Sequence, residues 1–169
     1  VIKPEKYIPG STFDEIQSLY NFDKELRSIL YDSLLEYESN LGAEISYHFS
    51  KLHPEEHSYL AMDNYSRNVN AVSSVVGTIS SLSHVIKQKS SNRQSNNAIK
   101  HYVNNHGHVP LWVLVNFLTF GDLNYFYHNS TENLKIIIAQ DFSNKYKRSY
   151  GKTIKINIDS IEAINHLVN

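Results

Sequence analysis

Nine histidines and no cysteine set the range of chemistry open to this 169-residue chain. Without a thiolate there is no cysteine nucleophile, no disulfide and no sulfur-built zinc site. The same absence fits a reducing cytoplasm, where the protein is expected to reside. Two histidine groups stand out, His48, His53 and His57, and then His101, His106 and His108. Neither contains an H-E-x-x-H pattern or a carboxylate repeated at a ligand spacing, so both read as surface or helix-capping residues. No metal and no cofactor is expected. Glu36, Glu38 and Glu44 lie close together, but such carboxylates on a long helix are usually solvated or paired with cations. Asp23 and Arg27, four residues apart, share a helical face, as an ion pair or as a functional contact to a ligand or to catalytic residues elsewhere. Lys145, Lys147, Arg148, Lys152 and Lys155 are interleaved with Tyr146 and Tyr150. Cations track phosphate while tyrosine faces stack on bases, which makes this the candidate nucleic-acid-binding patch. A solvated basic loop is the alternative reading.

Composition bounds these options. The formal net charge is −1, whereas dedicated nucleic-acid binders often carry a strong positive balance. Any RNA contact must therefore be local. With 41% hydrophobic and 20% charged residues, the chain has the balance of a soluble globular domain. At this length a single domain can bury roughly 70% of its unfolded surface. The opening residues contain Lys3, Pro4, Glu5 and Lys6 and lack the apolar core of a signal peptide. The longest apolar stretch, Leu111 to Leu118, is interrupted by Asn116 and falls far short of the ~20 residues that span a bilayer. No membrane association is expected.

The elements that must position these residues are all helical. Tyr7-Ile8-Pro9-Gly10 reads as a turn or extended lead-in. Thr12 with Glu15 then forms a capping box. Apolar residues follow at steps of three and four from Phe13 through Leu26, Leu34, Leu41, Ile45, Phe49 and Leu52, one long amphipathic helix or two consecutive ones. Lys51 to Arg67 lacks a period and reads as a connection. A second helix is predicted over about Asn68 to Lys89, followed by a polar low-complexity loop from Ser90 to Asn96. Asn97 to Asn105 reads as a short helix. Pro110 suits a first helical position, and Leu111 to Leu118, apolar on nearly all sides, reads as a buried central helix with Trp112 as a core anchor. Short helices are predicted from Phe120 through Tyr127 and from Thr131 through Phe142. Tyr146 to Lys155 reads as a basic loop, and Asp159 to Val168 as a last helix.

Several of these segments resemble the Abi-like family of abortive-infection phage-resistance proteins. Pro110-Leu111-Trp112-Val113-Leu114-Val115-Asn116-Phe117-Leu118-Thr119-Phe120-Gly121-Asp122-Leu123 is similar to the signature P-L-W-V-x-V-x-x-x-(S/T)-F-G-x-L. Leu19 through Arg27 resembles L-Y-x-F-D-x-x-L-R, and Glu38 with Leu41 resembles the next E-x-x-L step. His101-Tyr102, and Ile138-Ala139 with Phe142, also fit. The resemblance runs from about Gly10 to Asn169. It implies an all-α, single HEPN-like domain over residues 1–169, built on a long N-terminal helix and a buried central helix. The implied role is abortive infection, in which an infected cell halts growth before phage spreads. The implied chemistry is metal-independent cleavage of RNA by a homodimer, in some relatives paired with a small associated RNA.

That chemistry has a specific requirement. Attack by a ribose 2′-hydroxyl needs a proton carrier near neutral pKa, and the phosphate needs a fixed cation, roles suited to histidine and arginine. The family pairs them in an R-x4-6-H motif. Arg27, Arg67, Arg93 and Arg148 are the only arginines, and none is followed by a histidine at that distance. The motif is expected after Asn169, with Arg27 and Glu38 as supporting positions. A non-catalytic module that holds RNA or a partner protein is the alternative.

Overall fold

The computed structural model describes residues 10, 12–91 and 96–168. The extended lead-in before Gly10 and most of the low-complexity loop, including Arg93, lie outside the described residues. Among those described, seven α-helices form and no strand longer than a single bridge, Tyr65 to Ser130. The fold is all-α. The chain divides into two compact units, up to Tyr37 and from Glu38 onward.

The first unit is the opening of helix α1, which spans Phe13–Leu52. Its start is fixed locally. The Thr12 amide donates to Glu15 Oε2 at 2.9 Å and the Glu15 amide to Thr12 Oγ1 at 3.3 Å, the reciprocal pair expected of a capping box. The apolar spacing is present, yet Phe13, Leu19, Tyr20, Phe22 and Ile29 are each more than half exposed. Periodicity reports that a helix carries apolar residues at regular intervals. It does not report what covers them.

The second unit begins with the last turns of α1, where Leu41, Ile45 and Phe49 recur every four residues and are fully buried. Gly42 sits among them. A Cβ added there would lie 3.4 Å from Leu123 Cδ1 and 3.8 Å from Val115 Cβ. Gly42→Ala therefore fits and should gain up to about 1 kcal/mol of helix propensity. Gly42→Leu would overfill the contact and cost about 1–3 kcal/mol. Thermal melting of the two variants should move in opposite directions.

Lys51 to Arg67 is more ordered than its polar sequence suggests. Short 3₁₀ turns at Ser58–Leu60 and Met62–Asn64 seat Tyr59 and Tyr65 in the core. After a 3₁₀ turn at Val69–Ala71, α2 runs over Val72–Ser91, so Ser90 and Ser91 are helical. Its serines and threonine are poor helix formers but serve as contacts to α5 (Phe120–Asn129). Asn129 donates to Ser74 Oγ at 2.9 Å and Thr78 Oγ1 at 2.8 Å, and Ser81 donates to Asp122 Oδ1 at 2.6 Å. Asp122 also closes a capping box with Thr119. Burial alone would raise the Asp122 pKa, but the bonds from Ser81 and Thr119 outweigh it and hold the carboxyl below its ordinary value. The stretch Val69–Ser91 has the length and mean hydropathy, 1.3, of a bilayer-crossing helix. Here its Val75, Thr78 and Leu82 are buried and it packs on α5 and on α3 (Ala98–His106).

Two expectations are corrected. Leu111 to Leu118 is not one buried helix: α4 covers only Leu111–Leu114 and a 3₁₀ turn follows at Val115–Phe117. Pro110 precedes the first turn as its cap. Leu111, Val113, Leu114 and Leu118 are buried, but Trp112 is 57% exposed and meets Tyr102 edge to face at 5.8 Å. A single helical turn presents one residue outward whatever its neighbours' polarity, and Trp112 occupies that position. The second correction concerns the basic stretch. Helix α6 spans Glu132–Tyr150 and ends at Gly151, whose φ of 66° closes the helix in the left-handed conformation. Residues 146–150 are therefore helical. The final helix, α7, covers Ile158–Val168. It is tied to α6 by Lys135 and Glu162 at 3.0 Å, and the connection before it by Ser143, whose hydroxyl accepts from the Ile156 amide at 2.9 Å.

Candidate functional site

The strongest convergence of reactive side chains lies where the end of α1 meets α6. Glu44 and His48 are four residues apart and so share one face of α1. His48 is 8% exposed, which corrects its reading as a surface histidine. The same helical spacing that buries Leu41, Ile45 and Phe49 carries His48 to the edge of that face. Its Nε2 lies 2.7 Å from Asp141 Oδ2 on α6 and 3.3 Å from Glu44 Oε2. An imidazole nitrogen carries at most one hydrogen, so Nε2 cannot serve both carboxylates along straight hydrogen bonds. The three donor atoms lie within 4.8 Å of one another.

The cluster continues as a polar seam. One turn before Glu44, Asn40 accepts from the Lys145 ammonium, one turn beyond Asp141. Asn40, Glu44 and His48 thus face Asp141 and Lys145, and the two helices run antiparallel along the seam. Lys147 and Arg148 stand in the last turn of α6, and the rings of Tyr146 and Tyr150 lie 4.7 Å apart with a 38° tilt. Lys152 and Lys155 follow in the connection to α7, and all five cations are exposed.

The other expected positions fall elsewhere. Arg27 and Asp23 form an ion pair within the first unit, with the Arg27 side chain 77% exposed. The hydrogen bond to Asp23 raises the guanidinium pKa further above its ordinary value. Glu38 is half-buried and belongs to the second unit. His101 and His106 are exposed, while His53, His57 and His108 are half-buried. His108 Nδ1 lies 3.4 Å from Glu56, and His57 has a φ of 57°, the left-handed region a non-glycine residue rarely adopts.

Sequence reasoning missed the Glu44–His48–Asp141 cluster. A signal for two of its three residues was present, because Glu44 and His48 are spaced four apart in step with the buried positions. Asp141 lies 93 residues away and is brought in by the packing of α6 alone.

The family model describing Abi-like proteins matches residues 2–168. Neither the curated proteins nor the solved structures contain a match. With nearly the whole chain matched, and with the Pro110–Leu123 signature folding into the buried turn of α4 and the capped start of α5, the protein belongs to the Abi-like family, whose name links it to abortive infection of phage-attacked bacteria.

Proposed function

We propose that this chain is the RNA-holding body of a HEPN-type ribonuclease in phage defence, acting as a homodimer. The observation that supports the reading is the end of α6, where exposed Lys145, Lys147 and Arg148 flank the paired rings of Tyr146 and Tyr150. Cations at a helix C-terminus are favoured by the helix dipole in any protein. Two neighbouring tyrosine rings in the same two turns add what a dipole does not require, aromatic faces on which bases can stack. In this reading Lys152 and Lys155 extend the phosphate track beyond Gly151. In this reading cleavage needs the Arg and His of an R-x4-6-H motif, which none of the four arginines here opens.

Fluorescence anisotropy with a labelled single-stranded RNA, over a range of salt, tests this. The triple variant Lys145→Ala, Lys147→Ala, Arg148→Ala should weaken binding about tenfold or more. Its log–log salt slope should fall by roughly 2, at ~0.7 per lost phosphate contact on single strands. Tyr146→Ala should weaken binding with the salt slope unchanged. Equal affinity of the triple variant and the parent would remove the patch from the proposal. The second reading is a non-catalytic module that holds RNA or a partner. RNA recovered intact after incubation with the full-length protein would select it.

A further inference from the structure

We propose that Glu44, His48 and Asp141 form a binding site for a divalent first-row metal ion, with zinc the best fit. The inference is independent of the RNA reading above and stands on three observations. The first is convergence: three donor atoms from two helices, His48 and Asp141 being 93 residues apart in the chain, lie within 4.8 Å of one another. The second is the donor set. One imidazole nitrogen and two carboxylate oxygens are the ligand types that zinc accepts, and three protein ligands leave a position for water. A histidine ligates a metal through its neutral imidazole, so two ligating carboxylates bring two negative charges that a divalent ion balances.

The third observation is the geometry of His48 itself. A single nitrogen faces two carboxylates, at 2.7 and 3.3 Å, with at most one hydrogen to offer. An ion in place of that hydrogen satisfies all three groups at once. Ligands about 2.1 Å from a tetrahedral zinc stand roughly 3.4 Å apart. The His48–Glu44 separation is already close to this, while the Asp141 oxygen would move away from His48 and, from as much as 4.8 Å, toward Glu44, which its partly exposed side chain leaves room for. Burial is graded in the right sense. His48 has a side chain only 10% exposed, while Glu44 and Asp141, at 27% and 38%, open toward solvent and provide the path of entry. The ion would clamp α1 to α6 one turn from Lys145 and keep its water-bearing side outward.

The test is titration of Zn2+ into metal-stripped, tag-free protein by calorimetry, repeated with Co2+ to read coordination from its visible absorption. One ion per chain is expected, bound at micromolar concentration or tighter. Glu44→Gln and Asp141→Asn, which preserve side-chain shape at partly exposed positions, should each weaken binding at least about tenfold. His108→Ala and His106→Ala, at the other histidine group, should not change it. His48→Gln should abolish the Co2+ spectrum. Since that residue is buried, far-UV circular dichroism must first show the variant folded, and the two carboxylate variants decide the matter if it is not. No Zn2+ binding up to about 1 mM, or binding that survives both carboxylate variants, would overturn the proposal.

Discussion

Replacing Phe49 by alanine should cost the second unit about 3–5 kcal/mol, among the largest losses expected from a side chain of the described residues. Phe49 is fully buried at the end of α1 and touches three other rings. It meets Phe126 edge to face at 5.2 Å, Tyr65 at 5.8 Å and His53 at 4.8 Å, while Tyr65 and Phe126 meet each other at 5.4 Å. The cost has two parts, the transfer energy of the ring and the cavity left among neighbours that are themselves pinned. Tyr65 cannot move in to fill the space without breaking its hydroxyl bond to the Tyr59 carbonyl at 2.6 Å. Edge-to-face ring pairs add about 0.5–1.5 kcal/mol beyond area burial. Because whole domains are stable by only about 5–15 kcal/mol, Phe49→Ala should leave little cooperative unfolding to measure. Phe49→Leu keeps most of the volume and should cost markedly less. Urea denaturation of the pair decides it, and a loss below about 1 kcal/mol for the alanine variant would mean that this cluster does not organise the core.

The second large effect is a loss of stability in alkali. Tyr59 and Tyr65 are 2% and 0% exposed, and each donates its phenol hydrogen to a carbonyl, Tyr59 to Val109 and Tyr65 to Tyr59, both at 2.6 Å. Ionising either would place a phenolate against a carbonyl oxygen in a dry site. Burial accordingly holds both well above the ordinary value of 10.0, and Tyr65 is raised further by proximity to Tyr59. The sign follows directly. Both pKa values are raised on folding, so the stabilisation they represent is complete below the unfolded value near 10 and declines as pH rises above it. There the unfolded chain releases protons that the folded chain retains. Each group contributes a slope of about 1.4 kcal/mol per pH unit, so the two together approach about 3. Urea midpoints at pH 8, 10 and 11 measure this slope. Tyr59→Phe should lower the stability at neutral pH, through the unsatisfied Val109 carbonyl, yet make the alkaline slope shallower by about 1.4 kcal/mol per pH unit. Identical slopes in the parent and the double phenylalanine variant would show that other groups govern alkaline unfolding.

Much of the secondary structure was legible because it is decided within a few residues. The Thr12–Glu15 box, the four-residue spacing of Leu41, Ile45 and Phe49, and the short helices around Asn97 and Phe120 all depend on local hydrogen bonds and helical period. Helix α6 shows where local reading falters. Beyond Phe142 its turns are too polar to carry an apolar period, although the helix runs on to Gly151. Trp112 shows a different limit, since residue type predicts a wish for burial and the outward position of a one-turn helix denies it.

The amino-acid sequence by itself determined the helical class, most helix starts and the family signature, because hydrogen bonds between neighbours and a period of 3.6 residues need no distant partner. Only the tertiary structure decided that His48 is buried between Glu44 and Asp141, that Lys145 and Arg148 lie on a helix, and that Tyr59 and Tyr65 are sealed in the core. Those outcomes rest on the packing of helices distant in sequence, where burial and electrostatics are set by the far element as much as by the near one.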